Sequence, residues 1–441
     1  MYKVSVVSLG CPKNQVDAEM MLCKLKQAGF EISIEESEAD AIIVNTCGFI
    51  ETAKREAIEN IIEAAQYKKE GKCRAVIVTG CLAERYREEI LTEIKEADVC
   101  VSIGENGNIA NIVKDAIEKN AVGNFFADNL KLPLSGERIL GGYPFSTYLK
   151  IGDGCDNCCT YCAIPKIRGR QRSRTIEDCV KEARRLADMG VTEITVVAQD
   201  TTAYGTDIYG KPMLCELLRE LCKIEKLHWI RTLYTYPERI TDELLQLIRA
   251  EKKLVKYIDM PLQHADGEIL KRMNRKGDRK SLAELIKRIR EKVPGITLRT
   301  TLITGFPGET EEQFCSLHEF VKQEKFERLG CFTYSAEEGT IAAEMPGQID
   351  EQTKVDRMEL IMESQMTISE EKNKTEMGKT EEVLVEGYDD YIKCYFGRSA
   401  SMAPEIDGKV FFTSGRALSF GEYVNVKITE TLDYDLMGEV V

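Results

Sequence analysis

The sequence predicts an α/β protein with an N-terminal parallel α/β domain of Rossmann-like type, an incomplete barrel of six β/α units, and a small C-terminal β-barrel. Short apolar runs alternate with amphipathic helical segments through residues 1–120, and the same alternation resumes at residue 143. This alternation is typical of parallel sheets covered by helices. Four short apolar runs separated by glycine turns follow residue 374, and that pattern favours an OB-like barrel.

The composition describes a globular protein that is rich in thiols. The 441 residues suffice for two to four domains, and 43% apolar with 30% charged residues is usual for a soluble fold. The N-terminal residues show no signal peptide, and no apolar run approaches the roughly 20 residues of a membrane span. We therefore expect a cytoplasmic protein with no membrane partner. Sixteen cysteines in that compartment favour metal or redox chemistry over disulfides.

The N-terminal domain is predicted to span residues 1–120. Strands are expected at 4–9, 41–44, 75–79 and 99–103, and helices follow them, for example at 52–68 and 109–119. Asparagine, proline and glycine residues then interrupt the alternation, so residues 121–142 are interpreted as a linker.

The barrel domain is predicted to span residues 143–374. Its strands are expected at 148–152, 194–198, 229–234, 257–260, 297–301 and 328–333. Its helices are expected at 175–189, 213–223, 241–250, 281–292 and 310–325, and a charged helix at 350–374 ends the domain. Six β/α units make a barrel that is open on one side, and a complete eight-fold barrel is the alternative. Active sites of such barrels lie at the C-terminal ends of the strands.

The C-terminal domain is predicted to span residues 375–441, with strands at 383–386, 394–398, 409–413 and 423–430. From residue 376 onward it has 13 acidic and six basic residues, a formal charge of −7. An RNA-binding barrel would be expected to be basic. The whole chain is also acidic, with a net charge of −14, which argues against a nucleic-acid partner held mainly by charge. An acidic barrel favours a basic protein as partner.

A loop after the first barrel strand contains Cys155, Cys159 and Cys162 in the spacing Cys-x-x-x-Cys-x-x-Cys. Three thiolates this close can hold three irons of a 4Fe–4S cluster and leave the fourth iron without a protein ligand. S-adenosylmethionine can chelate that open iron through its amino and carboxylate groups. A zinc knuckle is the alternative, but zinc sites usually have four ligands, and no second cysteine pair follows here.

A second trio, Cys11, Cys47 and Cys81, is spread over the N-terminal domain. Each cysteine stands two or three residues after a predicted strand. Because the C-terminal ends of parallel strands share one edge of a sheet, we expect the three thiols to converge there. Neighbouring glycines allow the backbone to turn sharply beside a ligand. The trio therefore predicts a second cluster, although a small apolar cysteine can also simply end a buried strand.

The spacing of Cys155, Cys159 and Cys162 resembles the signature of the radical S-adenosylmethionine enzymes. The whole chain resembles the methylthiotransferases among them, which add an N-terminal three-cysteine domain and a C-terminal TRAM domain. Finer matches resemble the branch that modifies ribosomal protein S-12: Gly10-Cys-Pro-Lys-Asn14, Asn45-Thr-Cys-Gly-Phe-Ile50, Val197-Ala-Gln-Asp-Thr-Thr202, Tyr234-Thr-Tyr-Pro237 and Pro261-Leu-Gln-His264. No departure from that pattern is seen at the six cysteines.

The resemblance implies two 4Fe–4S clusters and S-adenosylmethionine as cofactors. One S-adenosylmethionine would give its methyl group to a sulfur held at the N-terminal cluster. Reductive cleavage of another at the Cys155 cluster would yield a 5′-deoxyadenosyl radical, which removes a hydrogen from the β-carbon of an aspartate. That carbon would then take the methylthio group. The implied partners are ribosomal protein S-12, free or within the small ribosomal subunit, an external electron donor and a sulfur donor.

Five further residues are candidates for contacts with S-adenosylmethionine. Gln199 and Asp200 end the second barrel strand and can reach the amino group or ribose of the cofactor, or cap a helix instead. Gln263 ends the fourth strand. Gly305 and Glu309 stand at the two ends of a turn after the fifth strand. In the family this region lies against the cofactor. No side chain is assigned as a catalytic acid, base or nucleophile.

A basic series follows the cysteine loop at even positions, where an extended segment would present its members on one side. Its members are Lys166, Arg168, Arg170, Arg172 and Arg174. They are expected to clamp the cofactor carboxylate, to contact RNA or substrate, or to form a solvated edge.

Two other functions fit parts of the sequence. A tRNA adenosine methylthiotransferase would share the architecture, but the acidic C-terminal domain and the Pro12-Lys13 pair speak against it. A non-catalytic iron–sulfur scaffold or sulfur carrier would need neither an open iron nor a barrel around a cofactor cavity.

Overall fold

A computed structural model describes residues 1–441 and begins with a parallel sheet that has helices on both faces. The strands are β1 (Lys3–Ser8), β2 (Glu31–Ile32), β3 (Ala41–Thr46), β4 (Ala75–Gly80), β5 (Val99–Val101) and β6 (Gly123–Phe125). The helices are α1 (Pro12–Gln27), α2 (Glu51–Glu70), α3 (Cys81–Tyr86), α4 (Glu88–Glu93) and α5 (Ile109–Lys119).

The sheet has the strand order β2-β1-β3-β4-β5-β6 and is apolar on both sides. Successive residues of β3 and β4 pack alternately against α1 with α5 and against α2 with α3, as the two-residue period of a strand requires. The strands β2 and β6 were not predicted. The first is two residues long, and the second lies within 121–142, the segment interpreted as a linker. Because β6 pairs with β5, the sheet extends into that segment.

The remainder of this segment is bound to both neighbouring domains. Arg138 is buried and donates to Glu19 of α1 at 2.8 Å and to the carbonyl oxygen of Tyr148 at 2.5 Å. Its Nε also lies 2.8 Å from the carboxylate of Glu182. This one guanidinium therefore ties the N-terminal domain to the barrel.

The barrel domain has six core strands and a short hairpin. In chain order the strands are β7 (Ser146–Lys150), β8 (Gly152–Asp153), β9 (Arg172–Ser173), β10 (Glu193–Val197), β11 (Trp229–Thr232), β12 (Tyr257–Asp259), β13 (Thr297–Thr304) and β14 (Arg328–Thr333), of which β8 and β9 form the hairpin. The helices are α6 (Ile164–Ile167), α7 (Ile176–Asp188), α8 (Thr206–Tyr209), α9 (Leu214–Cys222), α10 (Asp242–Ala250), α11 (Gly267–Arg272), α12 (Arg279–Lys292), α13 (Glu311–Glu324) and α14 (Glu351–Lys374).

Local sequence explains where several of these helices begin. Thr175, Thr241, Asp278 and Thr310 each accept a hydrogen bond from a backbone amide in the first turn of the helix that follows. The apolar faces of the helices and the outer faces of the strands together bury a core of 51 residues. None of the helices in the chain has the length and apolarity needed to cross a membrane.

The six core strands form two parallel groups, β7-β10-β11 and β12-β13-β14. One bridge, Ile230 with Leu254, joins the groups near their N-terminal ends. Asp259 joins them further along, because its carbonyl accepts from the Thr235 amide at 2.9 Å and its carboxylate from the Tyr234 amide at 3.0 Å. The edge strands β7 and β14 do not pair with each other. The prediction of an incomplete six-unit barrel is confirmed, and the eight-fold alternative is wrong.

The C-terminal domain is a closed barrel in the order β15-β16-β17-β19-β18. Its strands are β15 (Thr380–Asp389), β16 (Cys394–Ser399), β17 (Val410–Thr413), β18 (Tyr423–Thr431) and β19 (Leu436–Val440). The prediction of a small β-barrel is confirmed, but β19 was missed. It is five residues long and contains a glycine, which weakens its pattern.

This small barrel covers the N-terminal ends of the large-barrel strands. Arg398 donates to Glu193, the first residue of β10, at 2.6 Å, and to Glu386 at 2.6 Å. The Tyr257 hydroxyl donates to Asp407 at 2.6 Å. An apolar cluster at the same place combines side chains of three domains: Val16 and Met20, then Phe145, Tyr148, Val197, Trp229, Leu233, Val255 and Tyr257, then Leu384 and Ala403. The three domains are thus packed around one end of the barrel.

We expect Arg398→Met to loosen this contact. Glu193 is fully buried and would keep Arg231, at 3.4 Å, as its only charged partner, beside the Ser146 hydroxyl at 2.7 Å. Removing one partner of a buried ion pair typically costs about 3–5 kcal/mol. Trp229 is the only tryptophan and lies at the contact, so its fluorescence during denaturant unfolding reports the change. Arg416→Met, at an exposed pair with Glu422, is the control and should change nothing measurable.

The same contact should be sensitive to acid. Burial alone would raise the pKa of Glu193, but Arg398 and Arg231 hold that pKa at about 2. Because this value lies below the ordinary glutamate pKa of about 4.3, the stabilisation is complete above that pH and is lost as the pH falls toward the folded value. The stability difference between wild type and Arg398→Met should therefore shrink between about pH 5 and about pH 3. A difference that stays constant over this range would contradict the assignment.

Candidate functional site

Cys11, Cys47 and Cys81 lie at the C-terminal ends of three neighbouring strands. Cys11 directly precedes α1, Cys47 directly follows β3, and Cys81 begins α3 after β4. A Cβ atom on Gly10, whose φ is +88°, would lie 2.7 Å from the Cβ of Cys47. Only glycine permits this close approach and this backbone angle together. The structure brings the trio together at one sheet edge, as the strand positions predict.

Burial disfavours the thiolate forms of two members of this trio, Cys47 and Cys81. Burial raises the pKa of Cys47 to about 12, and the neighbouring Cys81 thiol adds to the shift. Burial also raises the pKa of Cys81, although Arg168 opposes this effect. Thiolate ligands form in such a place when metal ions displace the protons. Three converging thiols without a fourth protein ligand fit an iron–sulfur cluster that leaves one iron for another ligand.

Cys155, Cys159 and Cys162 lie in the loop between β8 and α6, at the C-terminal side of the barrel. Burial raises the pKa of Cys155 to about 11 and that of Cys162 to about 12. The Sγ atom of Cys159 lies 3.1 Å from the hydroxyl of Tyr236, whose ring is covered by the guanidinium of Arg275 at 4.1 Å. These contacts orient the loop around its thiols.

The number of thiols distinguishes each trio from a structural zinc site. Structural zinc sites usually have four protein ligands, whereas each trio supplies three thiols. A cluster with one iron left open therefore fits the second trio better than a zinc knuckle does.

A buried network of four charged side chains joins the two trios. Arg168, six residues after Cys162, lies 2.5 Å from Asp17 of α1 and 3.0 Å from Asp153 of β8. Lys150 contacts the same two carboxylates. No member of this network has a side chain more than 2% exposed. Burial alone would raise the pKa of Asp153, but Arg168 and Lys150 hold it well below its usual range.

Arg168 also reaches the first trio directly. Its Nη2 donates to Asn14 at 3.0 Å and lies 3.4 Å from the Sγ atom of Cys81. A side chain from the loop that follows the second trio therefore contacts a thiol of the first. The two C-terminal edges, one from each sheet, face each other across this contact.

The prediction of a single basic face after the cysteine loop was wrong. The segment is not extended, because α6 is helical and β9 begins only at Arg172. Arg168 and Arg174 are buried, and Arg174 pairs with Glu182 at 2.6 Å. The side chain of Arg170, in contrast, is 90% exposed.

Two of the five predicted cofactor contacts keep polar groups free. Gln199 donates to Asp153 at 2.6 Å, while its Oε1 atom is buried without a hydrogen-bond partner. A buried orphan acceptor beside the cysteine loop fits a ligand that brings its own donor, such as an ammonium group. Gln263 has φ +71° and lies four residues after β12, bridged to Leu302 of β13, and its side chain makes no hydrogen bond to the protein.

The other three predicted contacts are occupied by the protein itself. Asp200 accepts from Asn157 at 2.8 Å, from Arg239 at 2.6 Å and from the Ala203 amide at 3.1 Å, as its alternative role of a cap requires. The carboxylate of Glu309 accepts from the Gly305 amide and from Arg357, both at 2.9 Å. All three residues thus hold loops in place, and their contact with S-adenosylmethionine stays a prediction.

Several residues of the site carried little signal in the sequence. Lys150 is the last residue of the mixed polar and apolar strand β7, and Asp17 lies on the buried side of α1. Lys13 was noted only as part of a motif. It is buried, and its Nζ atom lies 3.6 Å from the centre of the Tyr234 ring. A charge at a buried position is the one feature that could have singled these residues out.

Solved structures with a similar fold are radical S-adenosylmethionine enzymes. The methyltransferase TsrM from Kitasatospora setae has a TM-score of 0.55 at 15% identity and covers 75% of each chain. The cobalamin-dependent enzyme OxsB has a TM-score of 0.52 at 14% identity, with 83% of this chain and 58% of that chain covered. At these identities the likeness shows the fold alone.

Three family models match the three domains. Residues 149–321 match the radical SAM superfamily, residues 3–102 match the uncharacterized protein family UPF0004, and residues 377–441 match the TRAM domain. The matches follow one another in the order that the resemblance implied.

Curated relatives match over the full length. Ribosomal protein uS12 methylthiotransferase RimO from Geobacter sulfurreducens is 48% identical over 441 residues, with 100% of this chain and 98% of that protein covered. Proteins of the same name from Clostridioides difficile and Desulforamulus reducens are each 49% identical, cover 100% of this chain, and are themselves covered to 99% and 100%. The chain belongs to the RimO family of radical S-adenosylmethionine methylthiotransferases.

Proposed function

We propose that the chain transfers a methylthio group to the β-carbon of an aspartate in ribosomal protein uS12, the small-subunit protein S-12. This proposal rests on one observation: the two cysteine trios face each other and are joined by the contact between Arg168 and Cys81 at 3.4 Å. Two-site chemistry on one carbon needs both sites at a shared cavity. Full-length relatives named as uS12 enzymes favour this substrate over tRNA adenosine and over a non-catalytic carrier role.

We assign one 4Fe–4S cluster to each trio and S-adenosylmethionine to the open iron held by Cys155, Cys159 and Cys162. When bound, these groups supply the radical that abstracts a hydrogen and the methylthio group that replaces it. The electron donor and the sulfur donor are external. We place the protein in the cytoplasm, where its ribosomal substrate is made.

The side chains around the trios would position and shield this chemistry. The Oε1 atom of Gln199 is free to accept from the amino group of S-adenosylmethionine. The Tyr236 hydroxyl orients the Cys159 thiol. The buried network of Asp17, Lys150, Asp153 and Arg168 fixes α1 against the barrel and excludes water from that contact, so the two trios keep a constant separation.

The C-terminal domain favours a cationic protein partner, although less strongly than its total charge suggests. Four of its 13 acidic residues are bound to the large barrel or to Arg398 at the contact: Glu382, Glu386, Glu405 and Asp407. Apart from these four and Arg398, the domain keeps nine acidic and five basic residues. This remaining surface still attracts a basic ribosomal protein and repels a phosphate backbone.

Iron content tests the assignment of the second trio. Anaerobically reconstituted protein should hold about eight irons, because each trio would bind a four-iron cluster. Replacing Cys155, Cys159 and Cys162 by Ala should lower this to about four. The matched control replaces Cys179, Cys215 and Cys222 of the barrel helices by Ala and should keep all the iron. No loss of iron in the first variant would rule out the assignment.

Product analysis separates the two proposed steps. A variant with Ala at positions 11, 47 and 81 should still cleave S-adenosylmethionine to 5′-deoxyadenosine, because the second trio is intact. It should transfer no methylthio group to purified uS12, as measured by mass spectrometry of the ribosomal protein. Methylthiolated uS12 from this variant would show that the first trio does not hold the transferred sulfur.

Charge reversal tests the partner surface. Asp390, Glu430 and Asp433 are exposed on the C-terminal domain. Changing all three to Lys should weaken binding of uS12 on the order of tenfold at low ionic strength. The effect should fade at physiological salt, where charges are screened beyond roughly 8 Å.

The control carries the same change in net charge at another place. Glu284, Glu291 and Glu319 are exposed on α12 and α13, and their change to Lys should leave uS12 binding nearly unaltered. Equal weakening by both triple variants would mean that total charge, not this surface, attracts the partner. Salt-dependent binding of tRNA by the wild-type protein, with none of uS12, would favour the tRNA alternative.

A further inference from the structure

Lys13 is a buried cation without a counter-ion. It is the second residue of α1, stands two residues after Cys11, and is 7% exposed. Its ammonium forms no ion pair or hydrogen bond with the protein. It lies over the face of the Tyr234 ring, at 3.6 Å from Nζ to the ring centre. A cation–π contact attracts an ammonium group but does not supply an opposite charge.

The carboxylates around Lys13 already have partners. Asp17 and Asp153 are shared between Lys150 and Arg168. Asp259, whose carboxylate holds the Tyr234 amide, pairs with Arg299 at 3.0 Å. The network between the trios is therefore neutral without Lys13. A buried ammonium is costly when nothing neutralises it, so this position suits a site where a ligand brings the negative charge.

The backbone of Tyr234, whose ring lies under the ammonium, is fixed by hydrogen bonds. Tyr234 follows β11 at the C-terminal side of the barrel and has φ +61°, which is unusual for a tyrosine. Its amide donates to Asp259 at 3.0 Å, and its carbonyl accepts from the Thr201 amide at 3.0 Å. Strained residues held in this way occur preferentially where a ligand is positioned. Lys13 and Tyr234 thus join the edge of the first sheet to the edge of the barrel.

We propose that Lys13, supported by Tyr234, forms the subsite that binds the carboxylate of the target aspartate. A carboxylate is the counter-ion that this ammonium lacks, and their charge-assisted hydrogen bond would be strong in a buried place. The β-carbon of aspartate is bonded directly to its carboxylate carbon, so holding the carboxylate also positions the carbon that reacts. This inference rests on the proposed function, because it takes aspartate as the target.

The competing role for Lys13 is to balance the charge of a cluster at Cys11. The two roles differ in what they predict for Lys13→Met, which keeps the length of the side chain and removes the charge. If Lys13 binds the carboxylate, its replacement affects only substrates that carry a carboxylate at the target position. If Lys13 balances the charge of a cluster, its replacement affects iron retention, the spectrum of the cluster and the turnover of every substrate.

The experiment compares two forms of uS12, one with the target aspartate identified by mass spectrometry and one with asparagine at that position. Binding to reconstituted holoenzyme is measured by titration, and modification by mass spectrometry. We expect wild type to prefer the aspartate form by at least about 30-fold, as the loss of one partner of a buried charge pair implies. Lys13→Met should bring this ratio close to one while keeping its iron content and cluster spectrum.

Lys54→Met is the matched control. Lys54 also lies in the N-terminal domain and near a tyrosine ring, at 5.8 Å from Tyr86, but it pairs with Glu51 at 2.8 Å and Glu337 at 3.1 Å. Its replacement should leave the preference for aspartate unchanged.

Three results would overturn the inference. An unchanged preference in Lys13→Met would mean that the carboxylate is bound elsewhere, and lost iron or an altered cluster spectrum would assign Lys13 to the cluster. If the wild-type holoenzyme failed to modify either form of uS12, the proposed function itself would be wrong and the inference would fall with it. If the wild type modifies uS12 and Lys13→Met keeps the same preference for aspartate, only the inference about Lys13 is contradicted, and the proposed function stands.

Discussion

The arrangement of the site depends on the buried network of Asp17, Lys150, Asp153 and Arg168. Two cations and two carboxylates balance one another between α1 and the barrel, so the network is neutral only when the two domains meet in this one orientation. Apolar contacts would tolerate small rotations of one domain against the other, whereas a buried charge that loses its partner costs about 3–5 kcal/mol. The network therefore determines where the first trio faces the second more than it adds to stability.

An incomplete barrel explains why the other two domains are packed so closely. Six strands leave the interior open between β7 and β14, and side chains such as Lys150, Arg231 and Tyr257 would face water without a neighbour. At the N-terminal ends of the strands, the C-terminal domain supplies Arg398 and Asp407. Along the edge strand β7, α1 supplies Met20 and Asp17. One end of the interior and its open side along β7 are thus completed by charged and apolar groups from two different domains.

Periodicity was sufficient to predict the three domains, the six core strands and the convergence of Cys11, Cys47 and Cys81, because strand ends in a parallel sheet share an edge. It was insufficient for β2 and β6, which are two and three residues long and lack an apolar run, and for β19, whose pattern is weakened by a glycine. The prediction that the basic series shares one side was wrong because the helix α6 interrupts the segment. Arg168, expected at the surface or at a ligand, is instead buried at the centre of the site. Contacts such as Arg168 with Asp17, 151 residues apart, depend on tertiary packing and leave no local pattern.

The two trios have different surroundings because they are built differently. Cys155, Cys159 and Cys162 come from one loop, so their spacing survives small movements of the barrel and needs only local support, such as Tyr236. Cys11, Cys47 and Cys81 come from three strand ends, so their spacing is set by the rigid sheet beneath them. Arg168, which follows the second trio in the chain, contacts Cys81 of the first, so the loop trio is held against the sheet edge that carries the other three thiols. The unpaired charge of Lys13 lies on the rigid side, where a bound carboxylate would be held most firmly.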